Sequence, residues 1–194
     1  MKKTKLLFCL AAAMLWLSCN HQYAQPHILI STEWGNIEVE LYPDKAPQSV
    51  AAFLSYVDAG YYNNGAFYRI LRNEDMGGHG TGLIQGGTWS ADGRPVPAVP
   101  GIPHESTRQT GLSHTDGTIS LARTKPGTAG TEFFICIGDQ TQFDYGNDNG
   151  GDTEGFAAFG HVTDGMEVVK QIHKQPYTGE HFGKPILIKS IKRL

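Results

Sequence analysis

The sequence predicts a single domain built as a closed antiparallel β-barrel, capped at its ends by helices. The chain has 194 residues, of which 40% are hydrophobic and 18% are charged, a composition typical of one globular domain with a substantial core. Many short apolar runs alternate with stretches rich in Gly, Asp, Asn and Pro, and only two segments show helical spacing. This combination favours a capped barrel.

The first element is a β-hairpin in ILISTEWGNIEVELY. Ile28 and Ile30 precede the WGN turn, and Ile37, Val39 and Leu41 follow it. Apolar and polar residues alternate on both sides of the turn, which is the pattern of two strands with one buried face.

The second element is an amphipathic helix in PDKAPQSVAAFLSYVDAGYY. Pro47 stands near its start, and Gly60 is a plausible stop. The stripe expected to pack on the sheet consists of Val50, Phe53, Leu54 and Val57.

Short strand candidates then follow along the chain: AFYRIL, LIQGG, GTISLA, EFFICIG and GFAAFGHV. A second helix is predicted at roughly 164–174, with Met166, Val169 and Ile172 on its apolar side. The last segment, PILIKSIKRL, is predicted to be the closing strand.

The N-terminal segment MKKTKLLFCLAAAMLWLSC is typical of a secretory signal, with a basic start and an apolar run too short to span a bilayer comfortably. It also resembles a bacterial lipoprotein signal, in which Cys19 becomes the lipid-modified first residue. The alternative is ordinary cleavage nearer Ala24. We therefore expect a signal over 1–19, a tether over 20–26 and a domain over 27–194, located outside the cytoplasm and anchored to a membrane through Cys19.

Charge and cysteine content limit the kinds of partner and covalent cross-link that we expect. The formal net charge is −3, and loss of the three lysines near the N-terminus makes it more negative, which argues against nucleic acid as a partner. Cys9 leaves with the signal and Cys19 carries lipid, so Cys136 is predicted to be a small buried hydrophobic residue without a disulfide partner.

No metal or cofactor is expected. GGHGTG precedes a predicted strand instead of opening a helix, which argues against a dinucleotide loop, and DYGNDNGGDTEG lacks ligands where a calcium loop needs them. The histidines 79, 104, 114 and 161 have no metal-ligand spacing, and His114 in GLSHTDGTIS is interpreted as part of the scaffold.

Five strings occur in an order that resembles the cyclophilin-type peptidyl-prolyl cis-trans isomerases: FYRI, LIQGG, GTISLA, GTEFFICIG and FAAFGHVTDGMEVV. The resemblance runs from about His27 to Leu194. It implies an eight-stranded antiparallel barrel with a helix closing each end, an isomerase that needs no cofactor, and proline-containing peptides and unfolded or partly folded proteins as partners. We expect a monomer.

The resemblance also assigns catalytic roles to three residues. Rotating an X-Pro amide breaks its resonance, and the prolyl nitrogen regains a localised lone pair at the twisted transition state. Arg69 is then the fixed cationic donor that stabilises this state more than the planar ground state. By the same resemblance, Gln85 holds the peptide backbone and orients Arg69, and Phe134 forms the floor of the proline pocket.

Further groove residues follow from the resemblance. Leu83 matches the pocket wall, where the family often has methionine, and Ala122 matches a small residue beside the substrate backbone. Phe143, in QFDY, is the pocket residue that the alignment favours.

At other positions that align with the family, this chain carries a different residue. Gly82 replaces an aromatic residue, Arg123 replaces an asparagine, Glu132 replaces a glutamine, and Phe156 stands where many relatives have histidine. We assign Arg123, Glu132 and Phe156 to substrate binding, and we expect these changes to give modest efficiency or a shifted sequence preference.

Two other functions stay open on the sequence. One is a noncatalytic proline-peptide binding module or holdase, which the altered pocket favours and the retained Arg69 opposes. The other is a surface lipoprotein that captures a ligand, which rests on the signal segment alone.

Overall fold

The computed structural model describes residues 23–73, 80–89, 95–147 and 152–194. The predicted signal, including Cys19, and the first part of the tether lie outside the described residues. Within the described part of the chain, no helix is both long enough and apolar enough to cross a membrane.

The domain contains nine strands and three α-helices in the described residues. The strands are β1 (His27–Thr32), β2 (Asn36–Leu41), β3 (Gly65–Arg72), β4 (Gly82–Gly87), β5 (Thr118–Leu121), β6 (Phe133–Ile137), β7 (Ala157–Asp164), β8 (Tyr177–Thr178) and β9 (His181–Arg193). The helices are α1 (Pro47–Asp58), α2 (Thr107–Thr110) and α3 (Met166–His173).

Eight of the strands close into an antiparallel barrel. Their order is β1-β2-β7-β5-β6-β4-β3-β9, and pairing of β1 with β9 completes the ring. The two-residue β8 pairs only with β9 and extends that strand as a short hairpin. The predicted eight-stranded barrel is confirmed.

The first hairpin follows from its residue pattern. Ile28 pairs with Val39 and Ile30 with Ile37 across β1 and β2, and all four side chains are fully buried. Gly35 takes a φ of 137° in the turn, where a side chain would be strained.

The two predicted helices form close to their expected bounds, and both contribute to the core. α1 begins at Pro47, where a missing backbone N–H costs no helical hydrogen bond, and buries the predicted stripe. α3 buries Val169 and Ile172, whereas Met166 is only half-buried at its first turn. The single-turn α2 was not predicted; its start is tied by the Ser106 N–H, which donates to Gln109 Oε1 at 2.9 Å.

Side-chain alternation along β6 divides the apolar residues between two faces. Phe133, Ile135 and Ile137 belong to the main core, which also contains the apolar side chains of α1 and α3. Phe134 and Cys136 point the other way and form a second cluster with Leu83. The outer face of the barrel therefore has an apolar patch of its own, and burial of Cys136 within it raises the pKa of the thiol, as expected for an unreactive cysteine.

Candidate active site

The pairing register of four adjacent strands aligns the principal candidate residues. Arg69 on β3 pairs with Gln85 on β4, Gln85 pairs with Phe134 on β6, and Phe134 pairs with Ser120 on β5. Residues in direct register lie next to each other across a sheet. Barrel pairing thus brings together Arg69, Gln85 and Phe134, which the sequence assigned to catalysis.

The Arg69 guanidinium is fixed by three hydrogen bonds. Nη1 donates to Gln85 Oε1 at 2.8 Å, and Nε and Nη2 both donate to Glu180 Oε2, at 2.9 and 2.6 Å. A guanidinium has two N–H groups on each terminal nitrogen. One N–H on Nη1 and one on Nη2 are therefore not engaged by these bonds and can be offered to a ligand.

An apolar pocket lies beside this arginine, within a groove of about 1020 Å³. Phe134 forms its floor and is 2% exposed. The rings of Phe143 and Phe156 meet Phe134 edge-on, with centroid distances of 5.7 and 5.4 Å. Leu83, Leu71 and Ala122 pack on the same cluster. The structure therefore places Phe143, Phe156, Leu83 and Ala122 around Phe134, where the sequence expected a proline pocket.

Beneath the pocket, three polar side chains, two of them fully buried, form a hydrogen-bonded chain. His114 lies 2.6 Å from Asp144 Oδ1 through Nδ1 and 2.9 Å from Ser120 Oγ through Nε2, and its ring stacks on Phe134 at 5.8 Å. The order of groups matches a Ser-His-Asp triad, but Ser120 and His114 are 0% exposed, so a substrate carbonyl cannot reach the hydroxyl. These residues instead support Phe134 and hold the segment that carries Phe143.

Burial raises the pKa of Asp144, but hydrogen bonds from His114 and Ser113 outweigh this effect, and the pKa is lowered overall. Asp144 therefore remains an anionic anchor directly after Phe143 at neutral pH.

Two departures from the family pattern line the same groove. Arg123 donates to both carboxylate oxygens of Asp152, at 2.8 and 2.7 Å, and its guanidinium lies 4.9 Å from the Phe156 ring centroid. These hydrogen bonds hold the pKa of Asp152 at about 2. Arg123 thus packs against the Phe156 ring, and its side chain is only 4% exposed.

Glu132, the second departure, is held by Thr88, which follows β4 and lies next to the start of β6. Its Oε1 accepts from the Thr88 N–H at 2.9 Å and from the Thr88 hydroxyl at 3.1 Å. Burial raises the pKa of nearby Tyr68, and the negative charge of Glu132 raises it further. Tyr68 accepts a 3.0 Å hydrogen bond from Gln85 Nε2, which fixes the orientation of that amide.

Comparison with known proteins decides the family. Residues 27–193 match the profile of the family described as cyclophilin type peptidyl-prolyl cis-trans isomerase/CLD. The chain belongs to the cyclophilin family. It is 36% identical over 173 residues to peptidyl-prolyl cis-trans isomerase A of Dickeya dadantii, covering 86% of this chain and 83% of that protein. It is 32% identical over 155 residues to peptidyl-prolyl cis-trans isomerase B of Escherichia coli, covering 75% and 82%.

Solved cyclophilin structures share the fold. A cyclophilin-type isomerase from Cryptosporidium parvum superposes with a TM-score of 0.68 at 23% identity, covering 87% of this chain and 97% of that one. A structure of the same protein in the presence of the dipeptide Ala-Pro gives 0.68 at 26% identity, covering 86% and 97%.

The structure adds a groove residue that the sequence did not single out. Glu180 contacts Arg69 from a turn 111 residues later in the chain. It belongs to no recognisable motif, so no sequence signal identified it. Val96–Val99, which follow β4, also line the groove. Across the described residues, no group of three or more His, Cys, Asp or Glu side chains is placed to hold a metal ion.

Proposed function

We propose that this cyclophilin rotates X-Pro bonds of extracytoplasmic proteins, with Arg69 as the transition-state donor and Phe134 as the floor of the proline pocket. Family membership makes the chain a peptidyl-prolyl cis-trans isomerase. The proposal concerns which residues perform the reaction and where the reaction takes place. The observation that carries it is a fixed guanidinium with unengaged N–H groups beside an apolar pocket.

The reaction makes no covalent bond to the enzyme. Its barrier of about 18–20 kcal/mol reflects the amide resonance lost on twisting. As the C–N bond twists, the prolyl nitrogen becomes a better hydrogen-bond acceptor, and an Arg69 N–H directed at it stabilises the twisted state selectively. Because Gln85 and Glu180 already hold the guanidinium, little of this stabilisation is spent on ordering the side chain.

The pocket supplies binding without acid-base chemistry. A proline ring that packs on Phe134 is held by apolar contact while the carbonyl on its N-terminal side rotates. Gln85, fixed between Arg69 and Tyr68, lies beside this pocket and contacts the peptide backbone in the proposed complex.

The decisive experiment is an isomerase assay on a short X-Pro peptide with Arg69→Ala. We expect kcat/KM to fall by about a hundredfold or more, equivalent to about 3 kcal/mol, because a transition-state interaction is lost. Arg193→Ala is the matched control, since Arg193 forms an exposed ion pair with Asp58 at 2.5 Å outside the groove.

Thermal unfolding of both variants checks that neither change acts through the fold. Both ion pairs are exposed to solvent, and such pairs contribute about 0–1 kcal/mol to the free energy of unfolding. Near wild-type turnover in folded Arg69→Ala contradicts the mechanism. Tight proline-peptide binding by a wild-type domain without turnover indicates a holdase instead.

The location is a separate part of the proposal and rests on the N-terminal sequence. Lipid on Cys19 would hold the enzyme at a membrane of the cell envelope, with the short tether separating the anchor from the barrel. Cys19→Ser should move the protein from the membrane fraction to a soluble extracytoplasmic fraction while leaving the isomerase activity unchanged. Mass spectrometry that finds an unmodified N-terminus beyond Cys19 rules out the anchor.

The proposed clients are unfolded or partly folded proteins whose X-Pro bonds limit folding, a step that takes about 10–100 s without catalysis. The groove described above is assembled from a single chain, so we propose that a monomer suffices. Light scattering of the purified domain tests this point, and a stable dimer would contradict it.

A further inference from the structure

Glu180 occupies a fixed position at the edge of the groove. It follows Gly179 in the turn between β8 and β9, and Gly179 takes the left-handed φ of 58°. The turn is tied to β3 by main-chain contacts: the Ile70 N–H donates to the Glu180 carbonyl at 2.9 Å, and His181 pairs with Arg69. The backbone, rather than the ion pair, therefore places this carboxylate beside Arg69.

The contact with Arg69 is too weak to block the site. The Arg69 side chain is 33% exposed and that of Glu180 is 53% exposed, and solvent screens an ion pair of this kind. Glu180 engages Nε and Nη2, whereas Gln85 engages Nη1, so the two acceptors hold different parts of the guanidinium. A bound peptide therefore meets a half-exposed carboxylate beside Arg69.

The charges lining the groove favour cationic ligands. Arg69 is paired with Glu180 and Arg123 is paired with Asp152. Glu132 has no lysine or arginine partner among the described residues; it accepts hydrogen bonds from Thr88 and Thr131. When Asp152 is counted with its partner Arg123, the described charged groups in and beside the groove are two arginines and three carboxylates, an excess of one negative charge.

We propose that Glu180 is a specificity-determining residue that selects substrates with lysine or arginine next to the proline. The inference rests on the proposed proline position over Phe134. The register places Gln85 between Phe134 and Arg69, and Glu180 holds the Nε and Nη2 edge of Arg69 and lines the same groove. A lysine or arginine next to the proline has a long side chain that extends toward this carboxylate, whereas an acidic side chain there is repelled by it.

The test uses two peptide series, one varying the residue before the proline and one varying the residue after it, with Lys, Gln and Glu at the varied position. In one of these series, we expect kcat/KM for Lys to exceed that for Glu by about tenfold, equivalent to about 1.4 kcal/mol. The difference should appear in KM, since Glu180 contacts a side chain and not the rotating bond. It should shrink at about 1 M salt, where the screening length falls to about 3 Å.

Glu180→Gln should bring the Lys-to-Glu ratio of kcat/KM within about twofold of unity. Because Glu180 also holds Arg69, the ratio between peptides is the readout, since any loss of kcat common to all peptides cancels in it. Glu33→Gln, which removes a carboxylate paired with Lys184 outside the groove, should keep the wild-type ratio. Equal kcat/KM for Lys and Glu peptides in both wild-type series, or a Lys preference that survives in Glu180→Gln, overturns the proposal. The Gln peptide monitors catalysis independently, so failure of the Arg69 mechanism is distinguishable from failure of charge selection.

Discussion

Truncation of Phe134 to alanine should weaken peptide binding, whereas truncation of Phe133, its neighbour in the chain, should not. Both rings are almost completely buried, at 2% and 0% exposure, but they point to opposite faces of β6. Phe133 meets Phe53, Tyr62 and Phe67 inside the barrel, while Phe134 underlies the groove. The pair therefore separates a structural role from a binding role at adjacent positions.

The surroundings of the two rings determine the expected losses of stability and of peptide affinity. Loss of a buried phenylalanine ring costs about 3–5 kcal/mol of unfolding free energy, and we expect Phe133→Ala near the upper end because its cavity is enclosed by the barrel. Phe134→Ala should lie near about 3 kcal/mol, since water from the groove can fill the space. A proline ring on Phe134 removes on the order of 55 Å² of apolar surface from water, about 1.4 kcal/mol, so its loss should weaken binding about tenfold.

Calorimetry with a proline peptide measures the dissociation constant, and chemical denaturation measures stability. Where an alanine variant fails to fold, Phe134→Leu and Phe133→Leu provide the same comparison, with an expected loss of affinity of about threefold for the former only. Similar affinity losses for both positions, or none for Phe134, would show that the proline does not lie on this ring.

Two further predictions concern charge. Burial raises the pKa of both Tyr68 and Cys136, so these groups stay protonated and kcat/KM should be constant between about pH 7 and 9; an inflection in that range would indicate a titrating group in the reaction. The pKa of Asp152 is lowered to about 2 by Arg123, so its stabilising contribution is complete above the ordinary carboxyl value of about 3.9 and is lost as pH falls toward 2. The melting temperature of Asp152→Asn should therefore lie below that of wild type at neutral pH, with a gap that narrows as pH falls below about 4; a gap independent of pH would contradict the ion-pair explanation.

Much of the fold was predictable because its signals are local. Alternation around Gly35 specifies a hairpin, and the spacing after Pro47 specifies a helix, since side-chain direction repeats every two residues in a strand and about every 3.6 in a helix. The single turn of α2 and the two residues of β8 are too short to leave a periodic signal, and the sequence did not reveal them.

The candidate site was also predictable only in part. Arg69, Gln85 and Phe134 could be named from their strings, and strand register then placed them side by side. The roles of Arg123, Glu132 and Phe156, which differ from the family pattern, could not be inferred from these strings. Arg123 is held by a carboxylate 29 residues away, on the far side of β6 in the chain, so the contact depends on the tertiary fold.

Residue patterns along the chain are enough to show which residues alternate, which longer segments form strands and helices, and which side chains carry the cyclophilin pattern. The folded barrel was needed to show that Glu180 lies against Arg69 and that Asp144 holds His114 beneath Phe134, at chain separations of 111 and 30 residues. Local conformational preference fixes the direction of a side chain over a few residues. Contacts between distant segments arise only when the barrel closes, because closure sets the strand register that brings those segments together.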